Sequence, residues 1–501
     1  MRRLLALAVV VVMTGCGHSG RKDQPPSRFP TADGVTLPAA PPASRPRPNV
    51  VFVLTDDLSS DLLPYLPAVQ ALQRDGMTFD NYFVSDSLCC PSRASIFTGE
   101  LPHDTGVFTN TPPDGGQYAY SRHDNERKSF AVSLHDQGYR TALMGKYLNG
   151  YGAVDGLVPR GWSDWAATGE GYGGFNYTLN VNGRPQFFGH KGRDYFTDML
   201  ATRGARFITS SAQHDEPFFL ELATFAPHYP SVAARRDRGR YPDAIAPRGP
   251  DFDQQIVNAP RWLANRPPLT LGEVTFIDRQ FRHRVRSVIA VNNLLVRIEQ
   301  RLRATRQLGN TYIVFSSDNG YHMGQHRLLP GKLTAFDNDV RVPLIIAGPG
   351  IRGGAHVRAV VQNTDLAPTF EQLAGTAPIL GTDGRSLLPF LHDRTPPGWR
   401  RWALVEHHRP ERSRGERDPD QQSGRSGDPP TYAALCDRWA TYVEYRNGER
   451  EYYDRRTDPA QLRNAYPDLS RQRRRLLHRT LAQLRRCHGA AQCATTQRRR
   501  A

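Results

Sequence analysis

Four segments of the sequence are continuous apolar runs that stop abruptly at polar residues. They span residues 49–55, 141–144, 218–225 and 311–317. Short runs that are apolar at nearly every position are typical of strands buried on both faces of a parallel sheet. This pattern constrains the fold more than any other feature, because helices must cover both faces of such a sheet.

Between these runs, apolar residues recur at spacings of three and four, most clearly over residues 285–302 before Gly309. That spacing predicts helices. We therefore predict an α/β fold with a large, mostly parallel sheet flanked by helices. After about residue 375, short strands at 402–406 and 441–445 and a helix at 469–484 predict a smaller C-terminal α+β subdomain.

Polar side chains follow all four runs. In open α/β sheets, ligands bind outside the carboxyl ends of the strands, so these side chains are expected to meet at one site. The residues at these four ends are Asp56, Asp57, Lys146, His228, Asp318 and Asn319.

Two of the strand ends indicate a metal site. Asp56, Asp57 and Asp318 supply carboxylates, and Asn319 supplies an amide oxygen. These hard ligands suit calcium or magnesium rather than zinc, and calcium is the preferred prediction. The alternative for either pair alone is an ordinary helix cap.

A cysteine motif lies between the first two runs. Cys89, Pro91 and Arg93 have the spacing C-x-P-x-R, whereas Cys90 lies one residue too close to the proline. Pro91 suits the first turn of a helix and Gly99 suits its end, so Cys89 is expected at a helix N-terminus, where backbone N–H groups favour negative charge. The alternative is a Cys-Cys pair in a disulfide or in the core.

The motif is similar to the signature of the sulfatase family, in which this cysteine is oxidised to formylglycine (3-oxoalanine) by a maturation enzyme. The resemblance runs from residue 49 to about 468 and includes residues 138–146, 226–228, 317–320 and 331–332. It implies an alkaline-phosphatase-like fold and hydrolysis of sulfate esters.

The resemblance also implies a role for each matched residue. Asp56, Asp57, Asp318 and Asn319 would bind calcium together with the modified Cys89, with magnesium as the alternative ion. Arg93 would steady the aldehyde hydrate. The residues that would hold the sulfate are Lys146, His228 and Lys332. Taken singly, either lysine could be a surface residue and the histidine a core residue.

One departure from the family pattern points to a branch. Arylsulfatase-like sequences carry a histidine two residues after the lysine, whereas Leu148 stands here. Residues 145–149, 89–95 and 318–322 resemble the N-acetylglucosamine-6-sulfatase branch, which implies a sulfated sugar as substrate. His322 and His326 are candidates for the missing histidine. The alternatives are a phosphonate or phosphate ester hydrolase of the same superfamily and a non-catalytic lipoprotein that binds sulfated glycans.

The first residues predict export. Two arginines precede an apolar run at residues 4–13, as in a secretory signal, and the segment ends at Cys16 in a sequence that resembles the bacterial lipobox. We expect a cell-surface lipoprotein anchored in the membrane through Cys16, or a secreted protein with an ordinary signal. The predicted divisions are signal 1–16, Pro-rich linker 17–46, catalytic domain 47–375 and C-terminal subdomain 376–501 with a basic tail.

Charge, cysteines and local composition add four expectations. The formal net charge of +16 suits an anionic partner, but no motif supports nucleic-acid binding. The arginines near the C-terminus are interpreted as a solvated helix face. Cys487 and Cys493 are expected to form a local disulfide, whereas Cys436 has no assigned partner. Residues 409–430 are interpreted as a mobile loop.

Overall fold

The computed structural model of the protein describes residues 47–409 and 423–497. The predicted signal, lipobox and linker lie outside the described residues, as do most of the loop predicted at 409–430 and the end of the basic tail.

A ten-stranded sheet forms the centre of the structure. Its strands are β1 (Asn49–Asp56), β2 (Met77–Phe83), β3 (Arg140–Lys146), β4 (Asp164–Thr168), β5 (Tyr177–Val181), β6 (Arg184–Phe188), β7 (Phe218–Pro227), β8 (Thr311–Ser317), β9 (Leu344–Ala347) and β10 (Ala355–Gln362). The order across the sheet is β10-β2-β9-β8-β1-β7-β3-β4-β5-β6. The strands β8, β1, β7, β3 and β4 are consecutive and parallel, and they include all four apolar runs.

Helices cover this sheet. They are α1 (Pro67–Asp75), α2 (Cys89–Thr98), α3 (Pro102–Thr105), α4 (Gly116–Arg122), α5 (Phe130–Asp136), α6 (Phe196–Gln213), α7 (Leu271–Ala304), α8 (Asp337–Val340), α9 (Leu366–Leu373), α10 (Leu388–Leu391), α11 (Arg471–Leu484) and α12 (Gly489–Gln497). The predicted helix at 285–302 lies within α7. That helix begins earlier, because Thr270 and Glu273 form a capping box at its start.

The two faces of the sheet belong to two separate cores. Phe52 and Leu54 of β1 point into one core, whereas Val51 and Val53 point into the other, which also contains Val288 of α7. Alternate side chains of a strand leave opposite faces, so a strand that is apolar at every position can fill both cores. The predicted α/β architecture, a mostly parallel sheet between helical layers, is confirmed.

A second sheet lies in the C-terminal part of the chain. Its four antiparallel strands are β11 (Ala403–His407), β12 (Tyr432–Cys436), β13 (Ala440–Tyr445) and β14 (Arg450–Asp454). Leu404 packs on one face with Leu477 and Leu481 of α11, whereas Val405 joins the core of the large sheet. The predicted C-terminal α+β element is therefore present. All described residues belong to one compact unit, and the boundary at 375/376 remains a prediction.

The described cysteines outside α2 are all buried. Cys487 and Cys493 form the expected disulfide, and Cys436 is a buried thiol. Among residues 47–409 and 423–497, no helix has the length and apolar character needed to cross a membrane.

Candidate active site

The ends of β1 and β8 bring the predicted metal ligands together. Thr55 pairs with Ser317 in the parallel register, so the residues that follow each strand are neighbours. The backbone N–H of Asp57 donates a 3.2 Å hydrogen bond to Oδ1 of Asp318. Asp57 has a φ of 64°, a conformation uncommon for residues other than glycine and one that often marks functional sites.

Cys89 is the first residue of α2, as the motif predicts, and Gly99 ends this helix with a φ of 71°. The Cys89 sulfur lies 3.2 Å from Oδ1 of Asp56 and 3.0 Å from the Lys332 ammonium. Cys89 and Cys90 are both thiols, which excludes the disulfide alternative. The Cys90 sulfur instead contacts Asn149, at 3.0 Å from its backbone nitrogen.

Two buried lysines form ion pairs with the carboxylates. Lys146, at the end of β3, lies 2.7 Å from Asp56, and Lys332 lies 2.7 Å from Asp57. Gly145 precedes Lys146, and a Cβ atom there would lie 1.8 Å from the carbonyl oxygen of Ala223. Only glycine therefore allows β3 to approach β7 closely enough at this point.

Arg93 lies in α2 and contacts the residues at two of the strand ends. Its Nε donates a 2.8 Å hydrogen bond to Oδ2 of Asp318, and one terminal nitrogen donates to the carbonyl oxygen of Lys146 at 3.0 Å. The arginine thus connects the end of β8 to the end of β3.

His228 directly follows β7. Its Nδ1 lies 2.6 Å from the carbonyl oxygen of Tyr229, and its Nε2 lies 3.7 Å from Oδ2 of Asp57. A carbonyl oxygen is only an acceptor, so Nδ1 carries a hydrogen. The Nε2 atom therefore faces the carboxylates.

Burial and the neighbouring positive charges shift the pKa values of the site carboxyls in opposite directions. Burial raises the pKa of Asp56, although the Lys146 ammonium opposes the shift. Burial also favours a higher pKa for Asp318, but the positive charges of Arg93 and the two lysines outweigh burial and lower this pKa. Both directions follow from desolvation competing with nearby charge.

The arrangement can hold a metal ion. Asp56, Asp57, Cys89 and His228 each offer one ligand atom, and these atoms lie within 4.8 Å of one another. The Oδ1 atom of Asn319 is buried and has no hydrogen-bond partner in the described structure. Such an oxygen is costly to bury unless a partner such as a cation satisfies it.

All nine predicted site residues thus lie in one connected group. The amide nitrogen of Asn319 donates a 2.6 Å hydrogen bond to Oδ1 of Asp57. With the contacts described above, this joins both lysines, the arginine, the cysteine and the four metal-ligand candidates, and His228 faces Asp57 at 3.7 Å.

The structure adds residues that the sequence analysis did not identify. Arg284 of α7 donates a 2.6 Å hydrogen bond to the carbonyl oxygen of Asp57. The ring of Tyr172 lies 4.6 Å from that of His228 and 5.2 Å from the Lys146 ammonium. The available signal for Arg284 was a charged residue one position before the helix predicted at 285–302, in line with its apolar face. Tyr172 had none.

His322 and His326 make different contacts. His322 lies 3.0 Å from the Asp339 carboxylate and 2.8 Å from the carbonyl oxygen of Ser426, so both ring nitrogens are engaged. The His326 ring packs on Phe336, and burial lowers its pKa to about 3. A histidine that stays neutral is a poor proton donor, which argues against His326 as the proton donor. The role of His322 stays a prediction.

Comparisons with known proteins identify the family of the chain. The family model described as "Sulfatase" matches residues 48–376, and the model described as "N-sulphoglucosamine sulphohydrolase, C-terminal" matches residues 324–487. N-acetylglucosamine-6-sulfatase of Homo sapiens is 38% identical over 373 residues, which cover 72% of this chain and 67% of the human protein. The Bos taurus protein of the same name is 34% identical over 462 residues, covering 87% and 82%.

The fold also has relatives among solved structures. A protein solved in complex with its substrate D-glucosamine-2-N,6-O-disulfate superposes with a TM-score of 0.74 and 22% identity, over 87% of this chain and 97% of that one. At this identity the likeness concerns the fold alone.

The fold is an α/β fold with a mostly parallel central sheet, and the family model defines the chain as a hydrolase of sulfate esters. The chain belongs to the sulfatase family and is a sulfuric ester hydrolase. The resemblance to the N-acetylglucosamine-6-sulfatase branch is confirmed, and neither alternative, a phosphonate or phosphate ester hydrolase or a non-catalytic lipoprotein, is favoured.

Proposed function

We propose that this sulfatase removes sulfate from sulfated sugars, with a 6-O-sulfated glucosamine residue as the leading substrate, by means of a formylglycine made from Cys89 and a bound calcium ion. The observation that carries the proposal is the position of Lys332, whose ammonium contacts both the Cys89 sulfur and Asp57. The names of the relatives and the substrate in the fold relative support the choice of sugar.

Calcium is proposed because the donors are mainly oxygens. Asp56, Asp57, Asp318 and Asn319 would hold the ion together with the modified residue at position 89. Three carboxylates and an amide oxygen fit calcium, which accepts six to eight oxygen ligands in flexible geometry, and magnesium is the alternative. The buried Asn319 oxygen supports this assignment, because it has no hydrogen-bond partner in the described structure.

The formylglycine would supply a hydrated aldehyde as the oxygen nucleophile, and a bound metal would supply positive charge. A maturation enzyme of the host is required for this conversion. The position of Cys89 at the N-terminus of α2 supports its role, because the first N–H groups of a helix stabilise negative charge.

The chain's own cationic residues would bind the sulfate ester. Lys146 and Lys332 are fully buried and flank the Cys89 sulfur and the Asp56 and Asp57 carboxylates, so they can neutralise the charge of the sulfuryl oxygens in a site sheltered from water. His228 keeps Nδ1 on a backbone carbonyl, which directs Nε2 into the site. Arg93 holds Asp318 and orients the group at position 89.

Mass spectrometry of the Cys89 peptide and turnover of sulfated sugars test the proposal. Protein made with a formylglycine-generating enzyme should carry the aldehyde at position 89 and hydrolyse N-acetylglucosamine 6-sulfate. Cys89→Ala should abolish turnover, whereas Cys90→Ala, the matched control in the same helix, should retain most of it. Equal loss in both folded variants, or an unconverted and fully active Cys89, would contradict the proposed nucleophile.

We further propose that the protein is exported and anchored through a lipid on Cys16. The signal-like sequence and the Cys487–Cys493 disulfide support export, because disulfides persist in oxidising compartments. Fractionation of wild type and Cys16→Ser in the host provides the test. Equal release of both forms into the medium would contradict the lipid anchor.

A further inference from the structure

A cleft rich in arginine lies away from the active site. It has a volume of about 610 Å³ and opens between α6 and the β5–β6 hairpin. Four arginines line it, and we call it the arginine cleft. They are Arg140, Arg193, Arg203 and Arg206.

The positive charge of the cleft is only partly balanced. Arg140 lies 3.4 Å from the Asp164 carboxylate. Within residues 47–409 and 423–497, the other three arginines form no ion pair, and Arg203 donates instead to the neutral amide of Gln186. Burial lowers the pKa of Arg203, the Asp164 carboxylate opposes this shift, and the positive charge of Arg206 adds to it. An anion in the cleft would relieve this repulsion.

Aromatic rings hold the guanidinium groups in place. The Arg140 guanidinium lies 4.6 Å from the ring centre of Phe207, and that of Arg203 lies 5.9 Å from Phe188. Phe187 also lines the cleft and is 68% exposed. An exposed aromatic ring beside fixed cations offers a flat apolar surface for one face of a ligand.

The remaining polar groups indicate what kind of anion fits. Gln186, Thr202 and Ser210 line the cleft, as do the carboxylates of Asp164 and Asp194. Carboxylates accept hydrogen bonds from hydroxyl groups but repel an uninterrupted row of phosphates. Anionic groups separated by hydroxyl-bearing rings match this lining, and a sulfated sugar has that chemistry.

One arginine of the cleft and one lysine of the active site lie at opposite ends of the same strand. Arg140 begins β3 and lines the cleft, whereas Lys146 ends β3 in the active site. Six residue steps in a strand correspond to about 20 Å. A single sugar unit is too short to contact Arg140 and Lys146 together, whereas a long chain has the necessary length.

We propose that the arginine cleft is a second binding site for sulfated glycan, which retains a chain while another part of it enters the active site. This inference rests on the proposed sugar-sulfatase function. Binding at the cleft makes the second contact intramolecular, so long substrates gain affinity and single sugars do not.

The test uses the double variant Arg193→Ala/Arg206→Ala, because both side chains are exposed and their removal leaves the core intact. Arg471→Ala/Arg475→Ala is the matched control, with two exposed arginines of α11 removed instead. We expect the cleft variant to raise KM for a sulfated decasaccharide about fivefold to tenfold, with kcat and the KM for N-acetylglucosamine 6-sulfate unchanged. The control variant should keep wild-type values.

Binding measured without turnover separates this inference from the proposed function. The cleft and control substitutions are each added to full-length Cys89→Ala protein. Only the cleft substitutions should lower the affinity for a heparin-derived decasaccharide, by about fivefold to tenfold. If wild type fails to hydrolyse the sugar sulfate while this binding difference persists, the proposed substrate is wrong and the cleft stands. If the cleft variant and the control variant bind the decasaccharide with equal affinity, the proposed glycan site is wrong. The proposal is also overturned if the cleft variant loses binding to single-stranded DNA but keeps its affinity for the sulfated decasaccharide.

Discussion

The guanidinium of Arg284 donates a 2.6 Å hydrogen bond to the main-chain carbonyl oxygen of Asp57. The arginine is buried in α7 and its guanidinium lies 4.3 Å from the ring centre of Tyr321. Asp57 has the φ of 64° noted above, which the surrounding structure must stabilise. Helix α7 thereby orients the residue that follows the central strand, on the side of the sheet opposite to the cysteine helix.

We predict that Arg284→Lys lowers the free energy of unfolding by about 2 kcal/mol and weakens calcium binding, because the shorter reach of lysine leaves a buried carbonyl unsatisfied. Urea unfolding and calcium titration would measure the two effects. Arg282→Lys is the control, since Arg282 also donates from α7 to a backbone carbonyl, that of Ala244. Equal loss of calcium affinity in both variants would refute the positioning role.

Removal of one carboxylate charge should separate metal binding from packing. Asp318 and Asp365 are both fully buried and paired with arginines, at 2.8 Å and 2.6 Å. At one hundred times Kd, calcium should stabilise the wild type by about 2.7 kcal/mol. We expect Asp318→Asn to lose most of this gain and Asp365→Asn to keep it.

Thermal unfolding at increasing calcium, starting from metal-free protein, provides the measurement. Both variants should be less stable than wild type without calcium, because each leaves an arginine partner buried. An equal calcium response in the two variants would exclude Asp318 from the metal site.

Loss of the Lys332 ammonium should lower turnover in variant protein that is still folded. We expect Lys332→Met to lower kcat/KM by a factor of about one hundred or more, the size of effect seen when one preorganised donor is removed from an active site. Steady-state kinetics with N-acetylglucosamine 6-sulfate would measure it. Lys128→Met is the control, because Lys128 pairs with Glu100 at 3.1 Å and is half-exposed. A loss below threefold for Lys332→Met would refute its role in sulfate binding.

Stability should also depend on pH through Glu371, which lies outside the active site. Burial raises the pKa of this carboxyl from 4.5 to about 7. The folded state therefore holds the proton more tightly than the unfolded state. The stability gained from this proton is fully present below about pH 4.5 and is lost as the pH rises through about 7.

Glu371→Gln removes this titration. Equilibrium unfolding should find the variant close to wild type at pH 5 and more stable at pH 8, by up to about 3 kcal/mol. The exposed Glu216→Gln should change neither value beyond about 0.5 kcal/mol. A constant difference between Glu371→Gln and wild type at both pH values would contradict the pKa shift.

The sequence by itself determined the central strands and the cysteine helix, and it named the candidate site residues that the structure brings together. The strands were readable because burial on both faces requires apolar residues at consecutive positions, a local pattern. Cys89, Pro91 and Gly99 were readable because a helix start and end depend on residues within one or two turns. The local pattern placed strand ends only within one or two residues, since β3 continues through Lys146.

Only the tertiary structure decided which of these residues meet. Lys332 and Asp57 are 275 positions apart, and Arg284 and Asp57 are 227 apart. Their contacts depend on the order of strands in the sheet and on where α7 packs, and neither is encoded in neighbouring residues. The arginine cleft is likewise invisible in the sequence, because its four arginines come from β3, α6 and the segment before α6, and only packing gathers them around one cavity.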